Sequence, residues 1–358
     1  HRSQRNQAPS MCRAIALQLT VAALTLVSGR CLGFTMQSGS LIGKNARGRV
    51  VRPQAVQRLF SDRNFFDKAL LPERDVQVWL PPGYRDEPNA RFPVLYCHDG
   101  QNLWDAEQSW TGWSWKLRET LENLIAGGFI EKPIVVTIDN DSTELLPMLR
   151  RRHLEYSGET WLGERFLQFL CDELKPCIDR EFRTLPAAEH TSVMGSSMGG
   201  LCAFRAVWDR PDTFGNCACL SPVFQAPLLA DVALNGRRLK DLAPKMYLDI
   251  GGDSEESKVP MFVWEEGVHA GYWWLDSQLQ PGVETMRRLL EWHNVQHDFF
   301  FAQGSRHNER AWAQRIDRPL RALFGKRNGQ KIATDSVHAG VRETVVPESV
   351  TGVTPAVR

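Results

Sequence analysis

Short apolar runs rich in β-branched residues alternate with longer amphipathic stretches along most of this chain. The runs are 76–80, 93–97, 133–138, 191–194, 216–220, 245–250 and 297–302. A strand that is apolar on both faces must be covered on both. Helices placed between such strands supply the cover and return the chain to the same end of the sheet. Helical patterns fall at 115–125, 163–178, 198–208, 283–293 and 309–324. In the second of these, Phe166, Phe169, Leu170, Leu174, Cys177 and Ile178 recur at three- and four-residue spacing and form one stripe. The alternation predicts a single α/β domain over residues 61–326, with a mainly parallel central sheet and helices on both faces. No internal repeat interrupts it.

Composition narrows the class further. Of the 358 residues, 42% are hydrophobic and 24% charged, which excludes a wholly disordered, collagen-like or multi-span membrane chain. The net charge of +1 hides an asymmetry. Residues 1–61 contain Arg2, Arg5, Arg13, Arg30, Lys44, Arg47, Arg49, Arg52 and Arg58 but no Asp or Glu, which leaves the body acidic. An acidic body offers no nucleic-acid surface.

Residues 1–60 read as a cleavable leader. Positions 14–27 are uncharged and mostly apolar, too short a run to cross a bilayer and suited to the core of a signal peptide spanning 11–33. Residues 34–60 are Ser-containing, Arg-rich and acid-free, the composition of a transit peptide. The pair resembles a two-part plastid leader, with plain secretion as the competing reading. No stable membrane insertion of the mature domain is expected. The polar tail 327–358 lacks periodicity and is expected to be disordered. Within it, Ser336-Val337-His338-Ala339-Gly340 resembles the opening of pyridoxal-phosphate enzymes of sulfur-amino-acid metabolism. Cys97, Cys171, Cys177, Cys202, Cys217 and Cys219 form no C-x-x-C pair and lie in apolar stretches, so buried free thiols are expected.

The chemistry concentrates at Gly195-Ser196-Ser197-Met198-Gly199, a G-x-S-x-G frame with Ser197 at its centre. An apolar strand precedes it and an amphipathic helix follows. That is the setting of a nucleophile on a tight strand-to-helix turn, where glycines two residues either side let the chain close. The helix directs its first amides toward charge developing at the serine. A serine hydroxyl needs a base, and the base an orienting acid. Of the nine histidines, only His307 lies in a loop just after a strand late in the chain. The loop after the preceding strand, Gly251-Gly252-Asp253-Ser254-Glu255, offers two acids. The glycine run favours Asp253, with Glu255 as the alternative.

These segments resemble a known family. Leu95-Tyr96-Cys97-His98-Asp99-Gly100-Gln101-Asn102-Leu103, the G-S-S-M-G-G turn, Tyr247-Leu248-Asp249-Ile250-Gly251 and His307-Asn308-Glu309-Arg310-Ala311-Trp312 occur in the order found in the putative-esterase family, which includes enterochelin esterases and esterase D. The resemblance implies an α/β-hydrolase fold and a serine esterase, acting on carboxylic esters or thioesters through an acyl-serine intermediate. It implies Ser197 as nucleophile, His307 as base, and an oxyanion hole at the backbone N–H groups of Met198 and Gln101. No metal or organic cofactor is implied, and the expected partner is a small-molecule ester. Relatives commonly read G-T-x-E or G-T-x-D where this chain reads G-G-D-S-E, which keeps the acid open. Arg152 and Glu155 fall in a matching block and stand either as substrate contacts or as a buried ion pair. Trp104, Trp110, Trp113 and Trp115 follow the oxyanion loop, and Trp264, Trp273 and Trp274 follow the acid loop. They read either as core or as an aromatic-lined pocket for an aryl or cyclic acyl group. An acyltransferase with the same machinery and a catalytically dead binding protein are the alternative functions.

Overall fold

Each predicted run becomes a strand of one eight-stranded sheet in the computed structural model, which describes residues 47–147, 149–252 and 275–326. The strands are β1 (Arg49–Val51), β2 (Val76–Leu80), β3 (Val94–His98), β4 (Ile134–Ile138), β5 (Thr191–Ser196), β6 (Asn216–Leu220), β7 (Lys245–Ile250) and β8 (Asp298–Phe301). Their spatial order is β1-β2-β4-β3-β5-β6-β7-β8. β2 runs antiparallel to both β1 and β4, and every other pairing is parallel. The four central strands β3 to β6 are buried at every position, which is why they read as unbroken apolar runs.

Two core layers result from the period of two along each strand. On β3, Val94 and Tyr96 face one layer, while Leu95 and Cys97 face the other. Helices α1 (Gln54–Ser61), α2 (Leu117–Ala126), α3 (Arg151–Ser157), α4 (Met198–Asp209), α5 (Leu275–Trp292), α6 (Glu309–Ala313) and α7 (Asp317–Phe324) include those that cover the sheet. The first layer takes Val56 and Phe60 of α1, Leu201 and Phe204 of α4, and Val283, Met286 and Leu290 of α5. The second takes Leu121 of α2 together with Leu320 and Leu323 of α7. Between α3 and α4 the chain runs helically from Trp161–Gln168 through a widened π segment, Phe169–Leu174, into Lys175–Glu181. Pro176 follows the widened turn. It lacks an N–H and crowds the carbonyl of Asp172 four residues back, which the extra residue per turn relieves.

The fold begins earlier than the composition suggests. Residues 49–60, assigned to the leader on sequence, form β1 on the sheet edge and most of α1, whose Val56 and Phe60 are fully buried. The Gly48 amide donates to Glu122 Oε1 at 2.9 Å, and Arg52 pairs with Asp75 at 2.7 Å. A three-residue strand is too short to show periodicity, and Arg on the polar face of an amphipathic helix mimics transit-peptide composition. The first 46 residues and the tail 327–358 lie outside the described residues. The six body cysteines are free and buried. No described helix is long and apolar enough to cross a membrane.

Candidate active site

The central strand β5 delivers Ser197 to its carboxyl end with backbone angles φ 56° and ψ −124°. An L-residue persists in that region only when its surroundings over-determine it. Here the Ser197 amide donates to the Leu220 carbonyl at 2.9 Å, and the Ser197 carbonyl accepts from the amides of Gly200, Leu201 and Val223. The turn also closes on itself: a Cβ at Gly195 would lie 2.5 Å from the carbonyl carbon and oxygen of Gly199. Helix α4 starts at Met198, so the first amide of the helix follows directly on the serine. Ser196 is the last strand residue and is buried, whereas Ser197 is partly open to a cavity of about 380 Å³.

His307 reaches the same cavity from the loop after β8. Several contacts fix that loop. The Gly252 amide donates to the Ser305 carbonyl at 2.7 Å, and Arg315 donates to Ser305 Oγ at 2.9 Å. Arg315 itself is held by Asp249 at the end of β7, a fully buried carboxylate it meets at 3.0 and 3.2 Å. Asn308 caps α6 by accepting from the Ala311 amide at 2.9 Å. The imidazole stands edge-on to Trp312, with ring centroids 5.0 Å apart.

The carboxylate on His307 is Asp276, which was not among the acids proposed from sequence. Its Oδ1 lies 2.8 Å from His307 Nδ1, and both side chains are buried. Gly251 makes room for it, since a Cβ there would lie 2.2 Å from Asp276 Oδ2. Asp253 and Glu255 lie outside the described residues, and the position each was proposed to fill is taken by Asp276. The acid comes from the first turn of α5, not from the loop directly after β7. Pro281 and Gly282 break the helical pattern, so the sequence shows the helix only from residue 283 and leaves Asp276 in apparent loop.

On the other side of Ser197, Gln101 lines the cavity from a 3₁₀ turn, Gly100–Asn102, entered through Asp99 in a left-handed conformation. Asp99 is clamped by Arg152 with two contacts of 2.7 Å and by Asn140 at 2.6 Å. Burial works against the Asp99 charge, but the guanidinium and the amide outweigh it and hold the carboxyl below its usual range. A Cβ at Gly199 would lie 3.0 Å from Asp99 Oδ2, so the clamp packs directly under the first turn of α4. Arg152 therefore lines the cavity with two of its nitrogens committed to positioning the Gln101 turn.

The remaining predicted substrate contacts lie elsewhere. Glu155 is buried away from the cavity, paired with Arg74 at 2.8 and 2.9 Å and with Arg151 at 2.9 Å. Trp104 is a core residue whose indole N–H donates to Thr137 Oγ1 at 3.2 Å. Trp113 packs against the Arg310 guanidinium and is not on the cavity wall. The tryptophans that do line it are Trp110 and Trp312, while Trp264, Trp273 and Trp274 lie outside the described residues. Most of the residues lining it are polar, Asn102, Gln108, Thr111, Asp139, Asn140 and Glu309 among them. Burial, with Asp75 and Asp99 nearby, pushes the Asp139 carboxyl up to about 7. Burial likewise pushes Glu309 up to about 7, and lowers His153 to about 4, where the Arg152 charge adds to the effect. Among the described residues no group of three His, Cys, Asp or Glu side chains is placed to hold a metal ion.

A family model described as putative esterase matches residues 68–323. The chain is similar to an endo-1,4-beta-xylanase/feruloyl esterase of Xylanibacter ruminicola, 29% identical over 234 residues, covering 63% of this chain and 30% of that protein. It is also similar to the uncharacterized protein YjcH of Bacillus subtilis, 23% identical over 171 residues, covering 48% of this chain and 65% of that one. It thus spans less than two thirds of the length of either protein. Among solved structures, a ferulic acid esterase superposes with a TM-score of 0.52 at 17% identity, covering 77% of this chain and 98% of that one. The BES protein from Bacillus cereus superposes with a TM-score of 0.53 at 16% identity, covering 81% and 99%. At such identities the likeness is one of fold.

Proposed function

Because the chain belongs to the putative esterase family and has the α/β-hydrolase fold, we propose that it hydrolyses carboxylic esters through an acyl intermediate on Ser197. One observation carries this reading: the strained Ser197 and the Asp276-held His307 line one cavity. With Nδ1 engaged by the carboxylate, His307 works through Nε2. It takes the Ser197 proton as Oγ attacks the ester carbonyl, and later hands that proton to the departing alcohol oxygen. Asp276 fixes the tautomer and stabilises the imidazolium that forms. The backbone N–H groups of Met198 and Gln101 receive the oxyanion. Water, activated by the same His307, then releases the acid and restores the serine. A thioester fits the same sequence, with a thiol as leaving group.

A fluorophosphonate probe tests the reading. It labels the wild-type protein and leaves Ser197→Ala unlabelled, and the substitution lowers p-nitrophenyl acetate turnover by several orders of magnitude. Ser196→Ala keeps both activities, because Ser196 belongs to the strand. Near-wild-type turnover by Ser197→Ala refutes the assignment. The acid-free segment ahead of the fold supports a second element of the proposal, a targeting leader for the secretory route or a plastid. A fluorescent protein fused behind residues 1–46 enters one of those compartments; diffuse cytosolic fluorescence refutes this element.

A further inference from the structure

We propose that Glu309, with Asp139 and Asn140, forms a subsite selecting esters whose alcohol half carries hydroxyl groups. The proposal rests on the Ser197 esterase reading and adds to it the chemistry of the leaving group. All three side chains line the cavity that holds Ser197 and His307. Each has one buried oxygen without a hydrogen-bond partner among the described residues: Glu309 Oε2, Asp139 Oδ1 and Asn140 Oδ1. Their other polar atoms are in part committed. Glu309 Oε1 accepts from Asn102 at 3.2 Å, and the Asn140 amide donates to Asp99 at 2.6 Å. An unpaired buried oxygen is costly because its desolvation is not repaid, and one such atom is an ordinary blemish in a folded protein. Three on residues that line the same reactive cavity form a pattern that a ligand would satisfy.

Chemistry and position identify that ligand. Asn140 Oδ1 can only accept, so the ligand must donate. Glu309 and Asp139, held near 7 by burial, exchange between accepting and donating forms at neutral pH. A hydroxyl serves in both roles, whereas an ammonium only donates. Arg150 and Arg152 on the same wall also disfavour a cation. The side of the ester follows from the mechanism. His307 returns its proton to the leaving oxygen, so the alcohol half sits against His307, and Glu309 follows His307 by two residues at the start of α6.

The test compares 2,3-dihydroxypropyl acetate with propyl acetate, two esters of the same acid and the same alcohol chain length. Wild-type protein shows a kcat/KM at least about tenfold higher for the dihydroxy ester. Glu309→Leu lowers that ratio about tenfold, while Glu309→Gln, which retains hydrogen-bonding capacity, preserves most of it. A ratio compares two substrates of one sample, so a loss of folded protein cancels out. A wild-type ratio near one overturns the proposal without recourse to any variant, as does an unchanged ratio in Glu309→Leu. Failure of the esterase reading itself is distinguishable: neither ester turns over and the fluorophosphonate leaves Ser197 unlabelled, which removes both claims.

Discussion

His307 Nδ1 and Asp276 Oδ1 are 2.8 Å apart in a buried setting, so one carboxylate determines which imidazole nitrogen carries the proton. Asp276→Asn keeps the size of the side chain while favouring the wrong tautomer. It is expected to lower kcat about 10³–10⁴-fold, as loss of the orienting carboxylate does in serine proteases. Asp253→Asn and Glu255→Gln are expected to stay within about threefold of wild type, since neither is needed once Asp276 holds the ring. Steady-state kinetics on p-nitrophenyl acetate decide the matter. A mild Asp276→Asn beside a crippled Asp253→Asn returns the role to the loop after β7. The other conspicuous acids have different work. Asp249 anchors Arg315, Glu155 anchors Arg74 and Arg151, and Asp99 anchors Arg152.

Among the elements, β1 and α1 are the ones whose importance is least apparent from composition. Together they cover the β2 edge and bury Phe60 against Phe169, with ring centroids 5.3 Å apart. Removing a buried Phe side chain alone costs about 3–5 kcal/mol. A chain starting at residue 47 is therefore expected to keep full activity and thermal stability, whereas one starting at residue 61 loses several kcal/mol or fails to fold. Thermal unfolding of the two truncations measures this directly. Equal midpoints would show that β1 and α1 contribute nothing to the core.

Across the molecule, buried titratable groups tie stability to pH in opposite directions. Asp139 has a carboxyl raised from 3.8 to about 7, so between those values the folded state holds a proton that the unfolded chain has released. Its contribution to stability therefore falls as pH rises through that window. His98 and His153 are lowered from 6.5 to about 4 by burial, so their contribution rises with pH from about 4 to 6.5. In the wild-type protein these trends offset one another. The contribution of Glu309, also raised to about 7, falls in the same direction as that of Asp139. Asp139→Asn removes only the Asp139 contribution, and relative to wild type it is expected to gain roughly 3 kcal/mol between pH 4.5 and 7.5. Urea unfolding of both proteins at the two pH values gives the difference. No change, or a loss, contradicts the raised Asp139 carboxyl.

What the sequence by itself determined is whatever depends on near neighbours along the chain. The apolar runs set the strands, with β2, β6 and β7 starting and ending at the residues where the pattern does. The Gly195–Gly199 spacing set the serine turn, because only residues two apart on either side can collide there. His307 was legible for the same reason, as the histidine of a loop ending a strand. Four features were decided by the tertiary structure alone: Asp276 as the partner of His307, the core placement of Trp104, the diversion of Glu155 to Arg74, and the convergence of Glu309, Asp139 and Asn140 on one cavity. The physical reason is one of distance. Hydrogen bonds and burial act over a few ångströms between residues tens or hundreds of positions apart. No local pattern records which loops the parallel sheet will bring together at its carboxyl edge.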